Sequence, residues 1–318
     1  MGFQDASFSH GGESSGDGWS EGIPLWDRSS LLVLVLLVGG AVGCTGAGST
    51  PDRGGAHGEP SGWPNDPEWV QVWGDEFADE GLPDSTKWTY ETGGHGWGNE
   101  ELQYYTEARR KNARVEDGHL IIEAHEESYN GRAYTSARLN SGSSWTYGRF
   151  EIRAQVPAGR GTWPAVWLLA SQDTYGDQYW PDNGEIDIME HVGYDPNVVH
   201  STVHTEAYNH VKGTQRGRSM DVPDATSAFH VYAVEWTPDE IRSYVDGELY
   251  FRFVRPSSPD YTKWPFNHDF HLILNVAVGG GWGGAEGVAD DIWPERMVVD
   301  YVRVYKPEGE VESSPSDS

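Results

Sequence analysis

In the run Tyr147-Gly148-Arg149-Phe150-Glu151-Ile152-Arg153-Ala154-Gln155-Val156, every second residue from Phe150 onward is apolar and every residue between is charged or carries an amide. A side-chain period of two belongs to a strand with one face on a core and the other in water, and no helix satisfies it. Phe150, Ile152, Ala154 and Val156 therefore point inward. The run IRSYVDGELYFRF sets Asp246-Gly247 between two β-rich halves, a strong hairpin signal, while FHLILNVAV is apolar enough for a strand covered on both faces. No long segment has helical periodicity, no 20-to-50-residue repeat occurs, and no glycine pattern of a nucleotide-binding loop is present. Many short strands punctuated by turn signals predict an all-β sandwich.

The chain has 318 residues. Residues 31–43 read LLVLVLLVGGAVG, a run too short for a membrane span but of the length of a signal-peptide core. It ends at Ala41-Val42-Gly43-Cys44, which resembles a bacterial lipoprotein cleavage motif, and Cys44 is the single cysteine, so no internal disulfide is possible. Export is expected, with the chain lipid-anchored through Cys44, freely secreted, or held by the apolar run as a retained anchor. The acidic stretch before the run departs from the usual basic leader and puts the start codon in question. Residues 1–44 are thus a leader, 45–67 a Gly/Pro/Ser-rich tether, 68–306 one folded domain beginning near Trp69, and 307–318 a disordered acidic tail.

The 50 acidic residues outnumber the 22 basic ones, a formal net charge of -28. Nucleic-acid binding is excluded on this ground, because neutralising phosphates requires lysine and arginine. Aromatics reach 13% of the chain, with 15 Trp and 16 Tyr, more than a core of this size requires, and sugar rings stack on flat aromatic faces.

The chemistry concentrates in Gly184-Glu185-Ile186-Asp187-Ile188-Met189-Glu190-His191-Val192-Gly193. Regular pleating sends Glu185, Asp187 and Met189 to one face and Ile186, Ile188 and Glu190 to the other. A β-bulge at Ile188-Met189 would reset the alternation and turn all three carboxylates into one groove. A retaining glycosidase needs two carboxyls about 5 to 5.5 Å apart, one ionised to attack the anomeric carbon and one protonated to serve the leaving oxygen. Asp187 between them adds a third like charge, which favours keeping one partner protonated.

This decapeptide resembles the signature of glycoside hydrolase family 16, in its laminarinase-like branch, and the resemblance extends from about Trp69 to Tyr305. It implies Glu185 as nucleophile, Asp187 as its assistant and Glu190 as acid/base. Trp97-Gly98-Asn99-Glu100-Glu101-Leu102-Gln103-Tyr104-Tyr105-Thr106 resembles a substrate loop in which Asn99 would bind sugar hydroxyls. Trp163-Pro164-Ala165-Val166-Trp167, Trp180-Pro181 and Asn275 to Trp282 resemble cleft-lining segments of the family. Trp163, Trp167, Trp180 and Trp282 are accordingly either sugar platforms or core residues. Arg138 either holds a substrate hydroxyl, pairs with the catalytic carboxylates, or makes a surface ion pair. His200, Thr202 and His204 share one strand face; His204 is expected to line the groove, and a zinc site is set aside because no third ligand is evident at suitable spacing.

In MVVDYVRVY, period two places Asp300 on the face of Val298, Val302 and Val304, where an ionised group needs a partner. The resemblance implies one structural calcium, using Asp300 with Glu76 and Gly118; an Arg or Lys ion pair is the alternative. No cofactor is required for the chemistry itself. The expectation is a concanavalin A-like jelly-roll sandwich of two curved antiparallel sheets with an open groove, acting as a monomer. It would hydrolyse internal β-1,3 bonds of a β-glucan, with mixed-linkage β-1,3-1,4 glucan as a second substrate. An agarase, carrageenase or transglycosylase, or a non-catalytic glucan-binding module, are the rival readings.

Overall fold

The computed structural model describes residues 67–311; the leader, Cys44, nearly all of the tether and residues 312–318 lie outside them. In chain order the strands are β1 (Trp69–Asp75), β2 (Trp88–Glu91), β3 (Gln103–Tyr105), β4 (Ala113–Glu116), β5 (His119–Tyr129), β6 (Arg132–Ser136), β7 (Arg138–Trp145), β8 (Gly148–Gln155) and β9 (Thr162–Ala170). They continue with β10 (Glu185–His191), β11 (Val198–His204), β12 (Arg216–Asp221), β13 (His230–Trp236), β14 (Glu240–Val245), β15 (Glu248–Val254), β16 (Phe270–Val278) and β17 (Glu295–Pro307). Among the described residues, helix is confined to single turns such as Tyr179–Asp182.

Two sheets form the sandwich expected. One runs β15-β14-β13-β8-β17-β5-β6-β3, with β1 on β17 and β4 on β5; the other runs β12-β11-β10-β9-β16-β7-β2. All pairings are antiparallel except β3 with β6. β8 shows the alternation read from its sequence, with Phe150, Ile152 and Ala154 buried and the residues between half-exposed. β14 and β15 close on Asp246-Gly247, both at positive φ (49° and 82°), the backbone a two-residue hairpin turn requires. β16 sits between β9 and β7 and is buried almost throughout.

The core lies between the sheets, where Phe150, Ile152, Tyr232, Val234, Val302 and Val304 of one meet Val166, Leu168, Ile186, Val203, Leu272 and Leu274 of the other. Burying each such side chain stabilises the fold by roughly 1.5 to 3 kcal/mol before chain entropy is counted. Trp88, Trp145, Trp236 and Trp264 also belong to this core, so part of the aromatic excess is packing and not sugar recognition.

At the C-terminal end the structure moves the boundary placed at 306. β1 pairs with the last part of β17, Trp69 opposite Pro307 and Val70 opposite Lys306, and a single turn follows at Glu308–Glu310. Pro307 is buried, and the Glu308 N–H donates to the Glu68 carbonyl at 2.9 Å.

Candidate active site

The seven-stranded sheet turns one face to the core and the other to a groove of about 870 Å³. Alternation assigns the faces: on β9, Val166, Leu168 and Ala170 are buried in the core, while Trp163, Trp167 and Leu169 line the groove. β11 likewise sends Val199 and Val203 inward and His200, Thr202 and His204 to the groove.

β10 breaks this rule where the sequence predicts it. Opposite β9, Asp187 pairs with Trp167 and Met189 with Val166, so two steps on β10 match one on β9. Opposite β11 the register jumps from Asp187–Thr202 to Glu190–His200. Ile188 and Met189 are consequently both buried in the core, and Glu185, Asp187 and Glu190 all line the groove. Glycines fix the two ends. Gly184 lies at φ 84°, and at Gly193 a Cβ would stand 1.7 Å from the Gly159 carbonyl oxygen.

Each glutamate is held by its own tryptophan. Trp180 Nε1–H donates to Glu185 Oε2 at 2.9 Å, and Trp163 Nε1–H donates to Glu190 Oε1 at 3.0 Å. His204 Nε2 stands 3.3 Å from Asp187 Oδ2 and 3.8 Å from Glu185 Oε1. Burial among these walls, with mutual repulsion, pushes the carboxyls up: Glu185 to about 8, and Glu190 well above the usual carboxylate range, where Asp187 and Glu185 both oppose its ionisation. Asp187 is raised too, by burial, and shares a hydrogen bond with Glu185. His204, the Trp180 N–H and Arg138 all favour charge on Glu185. His204 and the Trp163 N–H favour charge on Glu190 in the same way, against the two neighbouring carboxylates.

The other predicted groove residues are brought to the same place. Trp282 meets Trp163 edge-on at 5.6 Å and His200 at 4.9 Å. Trp167 Nε1–H donates to Asn275 Oδ1 at 2.8 Å, and Asn99 lies on the rim, its side-chain amide 3.4 Å from Glu101 Oε1. Arg138 also lines the groove, where its guanidinium pairs with Glu91 and is sandwiched 4.7 Å from both Trp97 and Trp167. It reaches the catalytic carboxylates only through its field.

Sequence reasoning missed Glu101 and Asn275. Glu101 is buried and accepts from the Gln103 amide and from Tyr105 Oη–H at 3.1 Å; Asn275 donates to that same hydroxyl at 3.1 Å. Burial raises the Glu101 carboxyl. A lone amide inside the apolar run of β16 was the available signal for Asn275, since a buried polar group in a strand requires partners.

The calcium residues are arranged differently from the expectation. A register shift between Val299 and Tyr301 makes Asp300 a bulge residue, which takes it off the face of the buried Val302 and Val304. Its carboxylate meets Arg153. Glu76 is held bidentately by Arg303 at 2.8 Å on both oxygens, which lowers its pKa. Gly118 sits in the Asp117-Gly118 turn, both residues at positive φ. With guanidinium groups on both carboxylates, no orphaned acid among these residues calls for a cation, and the calcium expectation rests on the resemblance alone.

Comparison with known proteins follows the same lines. Residues 100–303 match the family described as glycosyl hydrolases family 16. A β-glucanase of Rhodothermus marinus is 63% identical over 246 residues, covering 76% of this chain and 86% of that protein. The crystal structure of the laminarinase from the same organism superimposes with a TM-score of 0.75, covering 98% of that chain. A non-specific endo-β-1,3(4)-glucanase co-crystallised with 1,3-β-D-cellotriosyl-glucose is 44% identical with a TM-score of 0.73, covering 78% of this chain and 98% of that one. The sandwich is thus the jelly roll of these enzymes.

Proposed function

Since this chain belongs to glycosyl hydrolases family 16, we propose that it is an endo-acting hydrolase of β-1,3-glucan that retains anomeric configuration, with Glu185 and Glu190 as its working pair. The observation that carries the residue assignment is the bulge in β10, which puts two glutamates five positions apart on one groove wall. Glu185, as the carboxylate, attacks the anomeric carbon while Glu190 gives its proton to the departing glycosidic oxygen, leaving a covalent glycosyl ester on Glu185. Glu190, now a carboxylate, takes a proton from water as that water attacks the same carbon, and Glu185 is released. Asp187 and His204 hold Glu185 and adjust its charge from one side. The Trp180 N–H holds it from the other.

A groove walled by Trp97, Trp163, Trp167, Trp180 and Trp282 fits a polysaccharide bound across its middle, which supports internal cleavage of laminarin-like and mixed-linkage glucans. Glu185→Ala and Glu190→Gln are each expected to lower kcat on laminarin by orders of magnitude while the melting temperature stays within a few degrees; near-normal turnover in either refutes the roles. Digests of laminarin, lichenan and agarose, with product anomers followed by NMR, separate this reading from an agarase, carrageenase or glucan-binding module. We further propose that the protein is exported and lipid-anchored through Cys44, and acts as a monomer. The mass of the mature N-terminal peptide tests the anchor.

A further inference from the structure

Two strands bring together donors that the sequence kept apart. On β11 alone, His204 has no nearby ligand set, and His200, two turns of the alternation away, packs its ring on Trp282 instead. Across the β10–β11 ladder, however, Glu185 is the direct partner of His204 and Asp187 the partner of Thr202. Glu185, Asp187 and His204 each then present one ligand atom within 4.8 Å of the others.

We propose that Glu185, Asp187 and His204 form a reversible binding site for a borderline divalent cation of the zinc class, and that its occupation switches the enzyme off. Donors placed 2.0 to 2.2 Å from a tetrahedral metal stand about 3.4 Å apart. The observed 3.3 Å from His204 Nε2 to Asp187 Oδ2, and 3.8 Å to Glu185 Oε1, already approach that spacing.

A second observation points to a ligand. Asp187 is 3% exposed, and its Oδ2, which faces the site, accepts no hydrogen bond among the described residues; its near neighbour there is His204 Nε2, itself one of the three donors. Two carboxylates neutralise a divalent charge, and one imidazole with two oxygens is a donor set that zinc or copper accepts. Calcium and magnesium, which take six or more oxygens or near-ideal octahedra, find too few here. The fourth position opens on the groove, where water would complete the shell. A metal seated there occupies the Glu185 carboxylate, so metal and glucan exclude each other. The donor geometry does not depend on Glu185 being the nucleophile; only the loss of turnover does.

The test titrates the purified protein with zinc chloride in a metal-free, non-chelating buffer, reading binding by calorimetry and by melting temperature. One high-affinity equivalent is expected, with a rise in melting temperature that magnesium chloride does not produce. A saturating laminari-oligosaccharide should weaken zinc binding in the unmodified protein, a measurement that needs no variant. His204→Gln and Asp187→Asn should each weaken it by an order of magnitude or more, whereas His125→Gln, away from the groove, should not. Zinc that binds His204→Gln as tightly as the parent, or that ignores the oligosaccharide, overturns the site. The nucleophile reading is tested separately by the Glu185→Ala turnover: near-normal activity in that variant overturns it while the zinc titration still decides the metal site.

Discussion

At the scale of single residues, Glu185 trades stability for chemistry. Its pKa rises from 4.5 to about 8 on folding, chiefly through burial and then through Asp187. A carboxyl whose folded pKa is raised contributes stability that is present in full below its unfolded pKa and is lost as pH climbs through the folded one. The melting temperature of the parent protein should therefore fall between about pH 4.5 and pH 8 relative to Glu185→Gln, whose side chain stays neutral. Thermal melts across that range check this: the two proteins should nearly coincide at pH 4 and diverge upward, the inactive variant being the more stable at neutrality. Coincidence at pH 8 would mean that Glu185 is not desolvated. Glu101 acts differently, since it touches no reacting atom. It gathers Asn99, Gln103 and Tyr105, and Tyr105 in turn supports Asn275 and, through it, Trp167. Glu101→Ala should raise KM for laminarin more than it lowers kcat, by loosening the groove floor and the Asn99 loop together; a purely catalytic defect would contradict this.

At the scale of elements, β10 and β17 show that one extra residue can have opposite uses. In β10 the bulge restores Glu190 to the face of Glu185; in β17 it lifts Asp300 out of line with Val302 and Val304. Deleting Met189 leaves the second glutamate four positions after Glu185, and a regular strand then keeps both on one face. That variant should retain measurable hydrolysis while losing roughly 2 to 5 kcal/mol with the buried Met189 side chain. Inserting one alanine between Met189 and Glu190 should turn the glutamate toward the core and reduce kcat to the level of Glu190→Ala. Comparison of the purified variants on laminarin decides it, and an active insertion variant would remove the geometric basis of the assignment.

At the scale of the whole molecule, the chain carries a net charge of -28, and within the sandwich acids are often matched by arginines, as at Glu76–Arg303, Asp300–Arg153 and Glu235–Arg242. The exposed pairs among them contribute at most about 1 kcal/mol each. Because guanidinium groups meet both Glu76 and Asp300, chelation with EDTA should leave the melting temperature unchanged. A fall of several degrees, reversed by calcium, would restore the cation that the family resemblance implies.

Much of this was legible beforehand because it is periodic or local. Alternation in β8, the Asp246-Gly247 turn and the apolar run of β16 each depend on neighbours in sequence, and the spacing of Glu185, Asp187 and Glu190 brings them to one face only if the strand carries a bulge. What period two could not see was pairing between distant strands. The partners of Arg138, the indole donors to the two glutamates, the Glu101 network and the approach of His204 to Asp187 are set by which strands lie side by side and in what register. The amino-acid order by itself determined an all-β chain with converging carboxylates. Only the tertiary structure decided how their charges are shared, since burial and cross-strand neighbours, not adjacency along the chain, govern where a proton resides.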